Sequence, residues 1–212
     1  MTQTDTKIRL LDAAESLFSQ QGFTSASLRA ITTAAQANLA AANYHFGGKE
    51  ALLSAVLERR LLPLNQQRSD RIDQVLAAAT TAGTRPEVEA LIRAFIEPTF
   101  AFRRDKNGSS EFISIIGRAM TSADPLVRDL FLALVQPLFS QLHQALCQAL
   151  PQLTPQLIFT RLFFTMGAMG HCICFPGMSQ IFNGNSASNP EDDIFMTNNL
   201  IRFVTAGLEA PC

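Results

Sequence analysis

The chain has 212 residues, 47% of them apolar, with 17 basic against 18 acidic side chains. That length and apolar share support a substantial core, enough for one small domain joined to a larger one. A net charge of -1 excludes indiscriminate attraction to polyanions. Residues 1 to 60 carry six basic side chains (Lys7, Arg9, Arg29, Lys49, Arg59, Arg60) and five acidic ones, so any nucleic-acid binding there rests on a few locally placed cations.

Thr2 to Arg9 is polar and no early apolar run follows, so no secretory signal is expected. The four cysteines lack paired metal-ligand spacing and suit a reduced, cytoplasmic setting, and no metal or cofactor is expected. An N-terminal helix is predicted from Thr4 to Gln21, with Ile8, Leu11, Ala14, Leu17 and Phe18 on one face and Gly22 as its C-cap. Lys7, Arg9, Asp12 and Glu15 then form the polar face.

Ser27 can cap a second helix, Leu28 to Ala35, with Leu28, Ile31 and Ala35 inward. Ala30 at its third position precludes a capping box. After a break at Gln36-Ala37-Asn38, Asn38 can cap a third helix, Leu39 to about His45. Ala42 and Phe46 point inward there, and Ala40, Ala41, Asn43 and Tyr44 lie on or near the outer face. A face of small residues, an amide and a phenol on a helix of about two turns is poor core material and suits a major groove.

Gly47-Gly48 opens a fourth helix whose first turn carries Lys49, against the macrodipole, at about 0.3 to 1 kcal/mol on a surface helix. Two readings fit: a solvated lysine beside Glu50, or a cation that joins the free amides on one phosphate. Beside Tyr44, His45 and Ser27 the second is preferred.

From Pro63 onward helices are predicted almost throughout. Leu64 to Ala79 continues the fourth helix after a kink or break at Pro63, with Arg68, Asp70, Arg71 and Asp73 on wet faces. Ala82 to Pro86 is a connector, and Glu87 to about Arg104 carries an apolar stripe through Leu91, Phe95 and Phe102, with Pro98 inside. A turn from Asp105 to Ser110 leads to a helix from Glu111 to Met120, and Asp124-Pro125 starts a long helix to about Leu150. Gln156 to about Ile181 is the most apolar helix, Asn183 to Pro190 a polar loop, and Glu191 to Gly207 the terminal helix. Arg161 and His171 interrupt Leu157 to Phe175 and two glycines dilute it, so a buried interface helix is preferred to a membrane span.

Tyr44-His45-Phe46, two intervening residues and Lys49-Glu50-Ala51-Leu52 resemble the most specific segment of TetR-type transcriptional regulators, and residues 4 to 57 resemble their N-terminal domain. The run Asn38 to Gly47 is closer still to the PsrA-type subgroup. Gln36 and Ala37 depart from a usual Gly-Val pair, and Asn43 replaces a common tyrosine, so base preference is not transferable. The resemblance implies an all-α fold, with a helix-turn-helix DNA-binding domain over residues 4–60 and a helical effector-binding and dimerisation domain over 61–210. It implies that Ser27, Tyr44, His45 and Lys49 position the DNA backbone and that Leu39, Ala40 and Asn43 face bases, with His45 alternatively packed beneath the helix. With the cap residue Asn38 these form the expected DNA-contacting set. It further implies a homodimer on a palindromic operator, repression released by a small apolar effector, fatty-acyl for the PsrA-type subgroup, and no enzymatic activity.

Aromatic, methionine and aliphatic side chains offer adaptable walls for such an effector: Phe102, Phe112, Ile116, Met120, Phe163 and Met166 are the candidates. Arg118, Arg161 or His171 could meet a polar head, His171 being the one retained, although the arginines are expected to be solvated or paired. Phenylalanines at helical spacing also serve as ordinary core. His171-Cys172-Ile173-Cys174 invites a cysteine-enzyme reading, but Cys-x-Cys points the thiols to different helix faces and no orienting acid accompanies it. Packed cysteines are the expectation, with a ligand-binding protein or cysteine hydrolase lacking DNA function as the alternative.

Overall fold

The computed structural model describes residues 3–104, 109–121, 125–174 and 190–211, and every regular element among them is a helix. These are α1 (Gln3–Gln21), α2 (Leu28–Ala34), α3 (Leu39–Phe46), α4 (Lys49–Ala82) and α5 (Val88–Arg104), then α6 (Ser109–Thr121), α7 (Pro125–Ala149), α8 (Pro155–Cys174) and α9 (Pro190–Glu209). The all-α expectation holds. The expected run of α8 on to Ile181 and the loop from Asn183 fall outside the described residues, and Pro190 opens α9 instead of closing that loop. Pro63 does not break α4, because it stands exposed, where a carbonyl left without its donor can turn to water.

Two compact units divide the chain. The first holds α1 to α3, α4 through Pro63, α6, and α7 through Val135. In it α1 packs against α2, α3 and α6. Gly22, at φ 80, ends α1 by donating its N–H to the carbonyl of Phe18 at 3.0 Å. The buried arc of α1 runs through Leu10, Leu11, Ala14, Glu15, Phe18 and Ser19, while Ile8 stands exposed. This rotates the helix from the expected apolar face, and Glu15, expected in solvent, is only 1% exposed. Its reason is long-range: Glu15 accepts from Arg60 Nε at 3.0 Å and from Arg59 Nη2, and Arg59 Nη1 also reaches Asp12 at 2.6 Å. A carboxylate removed from water needs such donors to remain ionised.

The turn between α2 and α3 departs from glycine at the position where glycine fits best. Gln36 has φ 49, the left-handed region, which costs a residue with a Cβ roughly 1 to 2 kcal/mol. The turn closes nonetheless, with the Gln36 N–H donating to Thr33 O at 3.1 Å and the Ala37 N–H to Thr32 O at 2.9 Å.

The second unit holds α4 from Leu64, α5, α7 from Gln136, α8 and α9. α5 packs along α9 and buries Leu91, Ile92, Phe95, Ile96 and Phe100. Arg93 lies between Glu89 and Glu97, both at 2.7 Å, and also donates to Asn198 on α9 at 3.3 Å. Asp70 and Asp73 lie on wet faces as expected, but Arg68 is only 5% exposed. Its guanidinium lies 4.7 Å from the Phe95 ring centroid and donates to Phe95 O at 3.1 Å, to Asn65 Oδ1 at 3.1 Å and to Thr99 Oγ1. Burial pushes its pKa down to about 10. Because that lies below the unfolded value, the charged form opposes folding at neutral pH, and the penalty eases only as pH rises past about 10.

Two stability measurements follow from these contacts. Glu15→Ala leaves Arg59 and Arg60 side by side without their shared acceptor and should lower unfolding free energy by about 2 kcal/mol, read as a lower urea midpoint. An unchanged midpoint would refute the role given to Glu15. Gln36→Gly should raise the midpoint, by about 0.5 to 1 kcal/mol, since relief of left-handed strain exceeds the added chain entropy of glycine.

Candidate nucleic-acid interface

α2 and α3 are each opened by a side-chain cap. Ser27 Oγ accepts from the Ala30 N–H at 3.0 Å, and Asn38 Oδ1 accepts from the Ala41 N–H at 2.7 Å. Each cap fixes the rotation of a helix too short to be stable alone, and is worth about 1 kcal/mol. In α3 the inward position is Ala42, at 1% exposure, and the outward residues Leu39, Ala40, Asn43 and Tyr44 follow at helical spacing. Tyr44 is 74% exposed, a large aromatic held in solvent with a hydroxyl at its tip.

His45 is half-buried, its ring 5.2 Å from that of Tyr44 in an edge-on arrangement and 6.2 Å from that of Phe46. It therefore supports the Tyr44 ring whatever else it contacts. Gly47, at φ 80, ends α3 by donating its N–H to Asn43 O at 2.8 Å, and the Gly48 carbonyl begins α4 by accepting from the Leu52 N–H at 3.0 Å. No neighbouring atom lies within 4 Å of where a Cβ would stand on either glycine, so the first turn of α4 opens outward.

Lys49 occupies that turn, and its dipole mismatch is answered in part by the protein. The ammonium donates to Thr24 O at 3.3 Å and lies 4.4 Å from the Phe23 ring centroid. Lys7 likewise lies 6.0 Å from the Phe46 ring centroid. These contacts hold the cations in place beside α3 without neutralising them. Ser27 and Asn38 are exposed as well. Sequence reasoning passed over Ser25, Arg29 and Thr33, exposed residues on or just before α2. The signal available was a cation two residues beyond the Ser27 cap. Together this face can offer hydrogen-bond donors, two oriented cations and free helix-start amides to a phosphate-lined groove.

The effector candidates scatter. Phe112 is buried, and Phe102, Ile116 and Met166 are half-buried. The side chains of Met120 and Arg118 lie outside the described residues. Phe163 is 65% exposed and His171 is exposed, both on α8. Arg161 is spoken for, donating to the carbonyls of Leu208 at 2.7 Å and Ala210 at 2.6 Å at the end of α9, where a cation suits the helix dipole. Burial raises the Cys172 thiol pKa, with Arg103 pulling weakly the other way, which is the reverse of nucleophile activation.

Residues 10–56 match the family described as bacterial regulatory proteins, tetR family, and residues 93–207 match the tetracyclin repressor-like C-terminal domain. No curated protein matches the chain. Among solved structures, the fatty acid degradation regulator FadR from Bacillus halodurans superposes with a TM-score of 0.70 at 11% identity, covering 97% of each chain. FadR from Bacillus subtilis, solved in complex with stearoyl-CoA, gives 0.69 at 12% identity, over 94% of this chain and 98% of that one. A TetR-family transcriptional regulator from Streptomyces coelicolor gives 0.64 at 20% identity, over 98% and 90%. At such identities these structures establish the shared fold, and the two domain matches establish the rest: the chain belongs to the TetR family of DNA-binding transcriptional regulators.

Proposed function

We propose that the protein is a repressor of the PsrA-type subgroup that binds a palindromic operator as a homodimer in the cytoplasm and is released by a small apolar effector, with a fatty-acyl chain the leading class. The observation that carries the DNA half is the outward face of α3, where Tyr44 stands 74% exposed beside Asn43 while Ala42 is buried at 1%. In this reading Leu39, Ala40 and Asn43 meet base edges, and Ser27, Asn38, Tyr44, His45 and Lys49 set the register on the backbone. Residues 4–60 form the DNA-binding domain and residues 61–210 take the effector and the second subunit.

Support for dimerisation comes from α8 and α9, which expose Phe163 at 65% and Phe203 at 72%, with Phe164, Ile194 and Phe195 also open to solvent. Aromatic surface on this scale is what a second copy covers. Effector binding within residues 61–210 favours a swung position of α4 and takes the two recognition helices out of half-site register. A differential affinity of about 1 to 3 kcal/mol changes operator affinity roughly 5- to 150-fold. The stearoyl-CoA bound by the Bacillus subtilis regulator supports an acyl class of effector.

Selection from random duplex DNA should recover a palindrome whose half-sites lie about one helical turn apart. On that operator, Tyr44→Ala and Lys49→Ala should each weaken binding by about tenfold with dimerisation intact, and unchanged affinity would remove both residues from the interface. Phe163→Asp combined with Phe203→Asp should shift the protein to monomer in analytical ultracentrifugation and abolish operator binding. A variant that remains dimeric would place the interface elsewhere.

A further inference from the structure

Two helices run from the N-terminal unit into the C-terminal one, and each carries a proline at the crossing. In α4 the N-terminal unit ends at Pro63, and in α7 it ends at Val135, two residues before Pro137. Both prolines are exposed, and helix continues on either side of each. The remaining crossing, between residues 106 and 107, lies outside the described residues.

A proline inside a helix removes one backbone hydrogen bond and crowds the carbonyl it cannot serve. Pro63 has no N–H for the Arg59 carbonyl, and Pro137 has none for that of Ala133. On an exposed face water can stand in for the missing donor, so the helix bends there more easily than elsewhere along its length. Pro98 of α5 supplies the contrast. It is buried within the C-terminal unit, where Arg68 holds the turn around it by donating to Phe95 O at 3.1 Å and to Thr99 Oγ1.

The stretches beside Pro63 are fixed. Before it, Arg59 and Arg60 tie α4 to Glu15 of α1. Beyond it, Ser69 Oγ donates to Gln141 Oε1 at 2.8 Å, and Gln141 Nε2 donates to Asp73 at 2.8 Å. Gln141 therefore joins α4 to α7 past both prolines, and bending is left to the segments that hold Pro63 and Pro137.

We propose that Pro63 and Pro137 form a paired hinge that determines how far the protein tolerates a change in the spacing of operator half-sites. This rests on the reading of a homodimer on a palindrome. One added base pair moves a half-site by roughly 3.4 Å and turns it by about 35°. The hinge absorbs part of that change while the fit of each α3 to its own groove stays strict, and an effector acts on it by fixing one bend.

Hydrogen exchange on the intact wild-type protein tests the hinge without DNA. Amides of Leu64 to Gln67 and of Leu138 to Gln141 should exchange at least about tenfold faster than those of Ile72 to Leu76, and should slow in the double variant Pro63→Ala, Pro137→Ala. Uniformly slow exchange in wild type overturns the proposal, whatever the variant does. Operator binding tests the role. With one base pair inserted between selected half-sites, wild type should lose about tenfold in affinity and the double variant about a hundredfold or more, at equal affinity for the native spacing. Pro98→Ala should respond to the insertion as wild type does. The same loss in wild type and double variant overturns the proposal, as does an equal effect of Pro98→Ala. Recovery of no palindrome removes the reading of a dimer on paired half-sites and the spacing role with it, and is told apart from failure of the hinge by the exchange measurement.

Discussion

A carboxylate can be taken out of water only where donors already wait for it, and the N-terminal unit is organised by that requirement at Glu15. Arg59 and Arg60, adjacent on α4, both reach it, so α1 can adopt one rotation and one height against α4. Apolar packing alone is more permissive, since a helix with Leu10, Leu11 and Phe18 on one side tolerates small rolls and slides. Fixing α1 also fixes what packs on it. α2 and α3 lie against α1, and α6 meets its far end, where Ser114 Oγ donates to Ser19 O at 3.2 Å and Ser16 Oγ to Glu111 at 3.3 Å. The attitude of a two-turn recognition helix thus depends on a charge cluster away from its own exposed face.

Local determinants were legible in the chain and distant ones were not. The Ser27 and Asn38 caps, the Gly22 stop and the inward Ala42 each follow from interactions within four residues, and the structure has them where the spacing puts them. Glu15 and Arg68 look like solvated charges on any helical projection, because the partners that bury them lie 44 and 31 residues away. Phe163, 65% exposed, is ambiguous for the converse reason. Its apolar character is plain, but an outward face awaiting a partner and an inward face in a core have the same sequence period. The grouping of α6 with the N-terminal helices was equally invisible, since it rests on α1–α6 packing across a long separation.

Charge is used differently in the two units. In the N-terminal unit the buried Glu15 carboxylate is matched by two guanidiniums, with the Arg59 Nε left buried and without a hydrogen-bond partner among the described residues. In the C-terminal unit Arg93 and Arg71 form surface pairs with Glu89 and Glu97 that stabilise little individually. Arg68, by contrast, is buried among neutral acceptors, and desolvation alone lowers its pKa. A fold optimised only for stability would place an apolar or amide side chain there.

The near-zero net charge then acquires a physical meaning for recognition. A regulator with a strongly basic headpiece is drawn to all DNA, and its discrimination has to overcome that background. Here Lys49 is held by the Thr24 carbonyl and the Phe23 ring, and Lys7 stands over the Phe46 ring. Few cations means few released counterions, hence a shallow dependence on salt. Cations fixed beforehand lose little entropy on binding, so each contributes most where a phosphate falls at the right place. Weak bulk attraction combined with preset contacts makes affinity depend on the simultaneous fit of two α3 faces. A displacement of either face from its groove then removes most of the binding energy, which is the condition under which a modest conformational bias in the C-terminal unit can act as a switch.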